Sequence, residues 1–443
     1  MTHAKTGGTS SGNVRTLMFA PNRSAMWLPL FFTFAMYPIA AWLVLRFAPE
    51  RYKSQLFAIV NVCGAYVACV AGVIGSRTGL WRAILKVTAG TFACYLLLAL
   101  INYWFLRQAK RGKEAWGTVA LWFPIVVLIL IKYIPFVDTL TKPALDSISL
   151  SHMAVLFLGI SYLTFRLCHL VQEVRNGLVE LPTLSEYLSF AFYVPTLSVG
   201  PINPYSKYIA SYRKPNRDRA LKNRAMFRIL VGLTKYLFFA SILSHFTYSG
   251  LLLDGHPHRK VDFAVALFSY TLYLYCNFSG FCDMVIGVSG LLGIDVMENF
   301  NVPFASRNLQ EFWANWHISL STWLRDMMFT PMVKLLVRRF GPKSANNVIA
   351  FTICFVFIVI GMWHGVGINF ALFGLSQGLG LAAVHYYTLF LKKRLGKQGF
   401  AAYRANRLIY AAGTVTTFVY FSLSLFLFAN NWESMQRILK VLV

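Results

Sequence analysis

Acidic side chains are scarce in this sequence. Asp and Glu number 16 against 42 Lys and Arg in 443 residues, and charged residues of both signs make up only 13%. An ordinary soluble domain carries about twice that charged fraction, so a water-soluble fold is excluded for most of the chain. Cysteine is sparse too. Cys63, Cys69, Cys94, Cys168, Cys276, Cys282 and Cys354 all sit in apolar segments without metal-ligand spacing, which argues against a disulfide framework or zinc module and for reduced packing residues. Internal repeats, low-complexity tracts and a soluble domain are missing. So is a GxSxG elbow, and no serine has an obvious partner base. No cleavable signal peptide is expected, because residues 1–25 are polar and the apolar run that follows, 26–48, is too long for a signal h-region.

What is present is apolar. Hydrophobic residues reach 57% and the mean hydropathy is +0.55, the signature of a polytopic membrane protein. Candidate spans lie at 26–48, 55–75, 84–106, 115–136, 225–250, 262–282, 346–363, 367–391 and 406–429. Between 136 and 225 the pattern breaks: Arg166, His169, Pro195 and Gly200 interrupt apolar stretches at 153–172 and 185–200, which read as buried or re-entrant pieces. The organisation expected is a polar tail, 1–25, then a single membrane domain, 26–443.

The net charge of +26 invites a nucleic-acid partner. Basic residues in a membrane protein instead set topology and meet anionic headgroups, so no nucleic acid is expected. The dense clusters Arg213–Arg228 and Lys392–Arg407 are expected on the cytoplasmic side, where they suit an acidic protein or a phosphate-bearing cofactor.

Two histidines stand out. Glu311–Phe329 (EFWANWHISLSTWLRDMMF) reads as one amphipathic helix, with Phe312, Trp316, Leu320, Trp323 and Met327 as its apolar stripe and Asn315, Ser319 and Thr322 on another side. His317 lies within it. His364 closes the apolar run Asn347–Met362 in the motif GMWHG, flanked by Gly361, Gly365 and Gly367, which allow close backbone approach or a broken helix end. Without cysteine or carboxylate at ligand spacing the pair makes a poor metal site, and acid–base work is the better assignment. A neutral imidazole takes the proton from a hydroxyl as that oxygen attacks a carbonyl. Asn315, Ser319, Ser321 or the second histidine could serve the developing oxyanion. Trp363, Asp283 and Arg325 complete the candidate lining. Asp283, in CNFSGFCDM, is expected to pair with a basic residue. His152, His169, His245 and His385 read as packing residues.

The blocks GISYLTFRLCHLVQEVRNG (159–177), PTLSVGPINPYSKY (195–208), NFSGFCDMVIGVSGLLGI (277–294), NFNVPFASRNLQEFWANWHISLSTWLRD (299–326) and GMWHG (361–365) follow one another over about 150–390. In that order they resemble the membrane-bound O-acyltransferase (MBOAT) family. The resemblance implies an all-α fold with about 11 transmembrane helices plus re-entrant and amphipathic helices around a central tunnel. It implies that His364 is catalytic and His317 the second site residue. No bound cofactor is implied; the acyl donor is a substrate, a cytoplasmic thioester on a phosphopantetheine carrier protein or acetyl-CoA, and an extracytoplasmic partner completes delivery to the polymer. The bacterial cytoplasmic membrane is the implied location. RDMMFTPMVKLLVRR, the chain length and SVGPIN are closer to the D-alanyl-transfer branch of teichoic-acid modification than to the alginate and peptidoglycan O-acetylation branch. Gln377, in GLSQG, stands where the family often has histidine. The competing class is a transporter or flippase, which an inverted repeat would favour.

Overall fold

A computed structural model describes residues 32–74, 81–133, 159–215, 218–254 and 256–442. The polar tail, the start of the first apolar run, His152 and Arg217 lie outside them. The described residues are almost wholly helical, and eight helices are long and apolar enough to cross a membrane. Among the nine expected spans, the first is the exception: its described part, Phe32–Phe47, is shorter than a crossing requires. The contacts divide the chain into two compact units, Met1–Ser198 and Val199–Val443.

The first unit holds α1 (Tyr37–Phe47), α2 (Glu50–Ile74), α3 (Trp81–Lys110), α4 (Ala115–Tyr133), α5 (Ile160–Arg175) and α6 (Leu184–Ala191). Backbone polar groups need partners where water is absent, and the unit meets that demand with side chains. Pro124 inside α4 has no N–H to give the carbonyl of Ala120. The Asn102 side chain donates to that carbonyl instead, at 2.6 Å. Helix α5 is buried along nearly its whole length. Its Arg166, only 1% exposed, donates to the carbonyls of Phe190, Ala191 and Tyr193 and to the Thr196 hydroxyl. Those partners make a buried cation tolerable, and the broken region between 159 and 198 is therefore buried architecture.

The second unit holds α7 (Tyr205–Arg213), α8 (Arg219–Leu233), α9 (Ala240–Ser244), α10 (Lys260–Leu291), α11 (Leu309–Asn315), α12 (Ile318–Leu324), α13 (Thr330–Phe340), α14 (Ala345–His364), α15 (Ile368–Ala405), α16 (Arg407–Ala429) and α17 (Trp432–Val441). Small residues let the long helices touch backbone to backbone. A Cβ on Gly232 of α8 would sit 2.6 Å from the carbonyl oxygen of Gly280 in α10. In the α14–α15 hairpin a Cβ on Gly361 would strike the Phe370 carbonyl, and one on Gly374 the Phe357 carbonyl. An aromatic core fills the space beside this hairpin, built from Phe312, Trp313 and Trp316 with Phe370, Phe373, Phe421 and Phe428.

Candidate active site

The stretch Glu311–Phe329 is not one helix. Helix α11 opens with Asn308, whose side chain accepts from the Glu311 N–H at 2.9 Å, and ends at Asn315. Trp316 is extended (φ −110°), His317 is left-handed (φ 48°, ψ 50°), and only then does α12 begin. The break has a partner: Phe300 and Trp316 form an antiparallel bridge. Around it the Asn301 N–H donates to the Asn315 carbonyl at 3.0 Å, and the Ile318 N–H to the Asn299 carbonyl at 3.1 Å. The helical spacing of Phe312, Trp316, Leu320 and Trp323 still buries all four, because a short extended link preserves which side of the segment faces the core. Backbone strain of this kind concentrates at functional positions.

The His317 side chain is 5% exposed, with its ring 4.7 Å from that of Phe278 and nearly perpendicular to it. Its Nδ1 has no hydrogen-bond partner among the described residues. Burial pushes its pKa down, to about 3, so the ring is neutral at ordinary pH.

His364 is the last residue of α14, capped by the extended Gly365. Its ring stands edge-on to Trp363 at 4.6 Å and to Phe428 at 5.0 Å. A Cβ on Gly365 would collide with the Phe370 ring, so only glycine allows the chain to turn here with that ring in place.

Both histidines border the same aromatic core, at different levels of α16. Trp316, next to His317, packs on Phe421 at 5.2 Å, whereas His364 packs on Phe428. Seven residues of helix separate those two levels by about 10 Å. Polar ties fix which end is which. Arg307 and Glu311 bond to Arg404, and the Tyr410 hydroxyl bonds to the Ala305 carbonyl, at the start of α16. Asn369, beyond the His364 turn, donates to the carbonyls of Leu427 and Asn430 at 3.0 and 3.1 Å, at its end.

The remaining candidates separate. Ser319 is 1% exposed; its hydroxyl donates to Asn299 at 2.6 Å and accepts from the Ile202 N–H at 2.9 Å, so both partners are internal. Asn315 reaches Ser306 at 3.3 Å, and Ser321 is half-buried on the first turn of α12. Trp363 flanks His364. Asp283 accepts from Arg228 at 2.9 Å and Lys235 at 2.8 Å, while Arg228 also engages Glu298. The expected ion pair is present, and it removes Arg228 from the cations open to a partner. Arg325 is exposed and pairs with Asp326 at 2.9 Å, which favours its charged form. In the sequence Gln377 stands out only as a departure from the resembled family's histidine, and Asn299 carries no assigned role. Gln377, fully buried, accepts from the Trp313 indole at 3.1 Å and donates to Ser424 at 2.6 Å. Asn299, also fully buried, accepts from the Ser319 N–H at 3.1 Å and donates to the Cys282 sulfur at 3.3 Å.

Residues 84–423 match the profile of the membrane-bound O-acyltransferase family. A teichoic acid D-alanyltransferase from Streptococcus thermophilus is 30% identical over 78% of this chain and 85% of its own length. One from Bacillus subtilis is 31% identical over 68% of this chain and 76% of its own. A probable alginate O-acetylase from Pseudomonas aeruginosa is 28% identical over 64% of this chain and 55% of its own. With a matched family profile spanning most of its length and several helices able to cross a bilayer, the chain belongs to the membrane-bound O-acyltransferase family and is a multi-pass membrane acyltransferase.

Proposed function

We propose that this enzyme moves a short acyl group, D-alanyl or acetyl, from a cytoplasmic thioester toward a cell-envelope polymer or an extracytoplasmic partner, in the bacterial cytoplasmic membrane. Of the basic segments, Arg219–Arg228 opens α8 and Lys392–Arg404 closes α15, and by the positive-inside rule both are assigned to the cytoplasm. The α8–α10 turn, the His364 turn and α17 then fall on the opposite side. The bridge between His258 and Leu442 agrees with putting those two segments on the same side as each other.

In this frame His317 stands toward the donor side and His364 toward the acceptor side of one aromatic core. The acceptor hydroxyl gives its proton to His364 as its oxygen attacks the thioester carbonyl. The new ester C–O bond forms, the C–S bond breaks, and the thiolate leaves to be protonated. Neutral His317 supplies a hydrogen bond to the developing oxyanion, a role that burial suits because no positive charge has to be desolvated. General-base help of this type contributes about a hundred- to ten-thousandfold in rate. The observation that carries the reading is the placement of two imidazoles, one at a strained turn and one at a broken helix end, against one aromatic core.

The test offers the purified protein labelled acetyl-CoA and D-alanyl-loaded carrier protein side by side, with an envelope-polymer acceptor. Label transferred from one donor supports the reading and names the acyl group. Transfer from neither sinks it.

A further inference from the structure

The residue that opens an α-helix ordinarily uses its side chain to cap the first free N–H groups. His317 opens α12 and makes no such cap. Two of those N–H groups are nonetheless satisfied by one residue from elsewhere. The Asn299 carbonyl takes the Ile318 N–H at 3.1 Å, and its side-chain oxygen takes the Ser319 N–H at 3.1 Å and the Ser319 hydroxyl at 2.6 Å. The Asn299 amide nitrogen is used as well, on Cys282 of α10, so the side chain is held from both ends. Phe300, the next residue, forms the bridge to Trp316 and packs on Phe278 at 5.2 Å. Phe278 is the ring against His317.

We infer that Asn299 is a positioning residue: it caps α12 in place of His317, which releases the imidazole from structural duty and holds the left-handed turn that aims it. This rests on the reading of His317 as a site residue. The distinction is chemical. A capping histidine spends a ring nitrogen on its own helix, whereas here Nδ1 makes no hydrogen bond among the described residues. Without the Asn299 side chain the Ser319 N–H loses its acceptor, while the backbone bond to Ile318 remains; the imidazole is then drawn toward the Ser319 N–H and away from substrate.

Asn299→Ala removes the side-chain acceptor. Asn299→Ser keeps polarity but falls short of Ser319, and serves if the alanine variant does not fold. Asn299→Asp restores the acceptor at the same reach. With whichever donor, acetyl-CoA or D-alanyl carrier, the wild type uses, the first two variants should lose about 10- to 100-fold in kcat, the scale of a misplaced catalytic group. Their KM for donor should stay within about threefold, and Asn299→Asp should recover most of the loss. Equal changes in kcat and KM, no loss, or an aspartate no better than alanine would overturn the inference. His317→Ala is the separate control: normal turnover in that variant removes the site reading itself, whatever Asn299 does.

Discussion

The two histidine turns are built by opposite means. His317 is held by polar contacts: a bridge, an imported cap and a left-handed backbone in a fully enclosed setting. His364 is held by shape: a helix end, a glycine with no room for a side chain, and aromatic rings on either side. Hydrogen bonds fix direction sharply and fail when one partner is lost. Packing against rings fixes position and leaves rotation freer. The contrast fits a division of labour in which His317 presents a fixed group and His364 exchanges a proton with a substrate that arrives and leaves.

The largest effect expected from breaking this contrast is at His364. Because the ring is only half-buried, His364→Ala should leave the protein folded and monodisperse while lowering turnover by about a hundred- to ten-thousandfold. Turnover within a few-fold of wild type would remove the base. Loss of folding would show that the imidazole is packing rather than chemistry.

A second test uses pH to tell the two rings apart. The unfolded chain takes a proton on residue 317 below about pH 6.5, while the folded protein resists protonation until near pH 3. The stability contributed by the neutral ring is therefore complete above about pH 6.5 and is lost as pH falls toward 3, with a slope of at most about 1.4 kcal/mol per pH unit. Asn tolerates the left-handed conformation and does not titrate, so His317→Asn should flatten unfolding stability between pH 6.5 and 5 relative to wild type. Parallel curves would mean that His317 protonates freely in the folded protein.

A smaller effect is expected behind the core. Gln377→Leu leaves the buried Trp313 indole N–H without its acceptor, while Ser424 keeps its bond to the Phe421 carbonyl; the cost is about 1–3 kcal/mol, read as a lower unfolding midpoint. Gln377→His can accept from Trp313 with one nitrogen and donate to Ser424 with the other, and should be tolerated. A histidine variant as damaged as the leucine variant would show that the site tolerates only an amide.

How much of this was legible in the sequence follows from the range of the interactions. The membrane helices were readable because an apolar run of about 20 residues declares itself locally. The His364 turn was readable because its glycines are adjacent in sequence. The helix expected over Glu311–Phe329 failed at Trp316 and His317 because their partner, residues 299–301, lies outside any local window. Asp283 announced that it needed a cation, though not that it would take both Arg228 and Lys235. Gln377 declared itself only as a replacement for a histidine, and Asn299 carried no local signal at all; their roles depend on segments brought alongside by folding.

The smallest expected effect tests whether the strain at His317 is shared. Val302 and His317 are the only non-glycine residues with positive φ among those described, at 46° and 48°, and they flank the same bridge. A β-branched residue in the left-handed region costs about 1–2 kcal/mol, while glycine there gives back about 0.5–1 kcal/mol through its greater unfolded freedom. Val302 is 68% exposed, so Val302→Gly removes strain and little packing. It should raise stability by about 1 kcal/mol or less, with turnover unchanged if each turn is held by its own contacts. Should the more relaxed protein instead turn over more slowly, the strain at Val302 would be what keeps Phe300 in register with Trp316. The orientation of His317 would then be set from both ends of the bridge rather than by Asn299 alone.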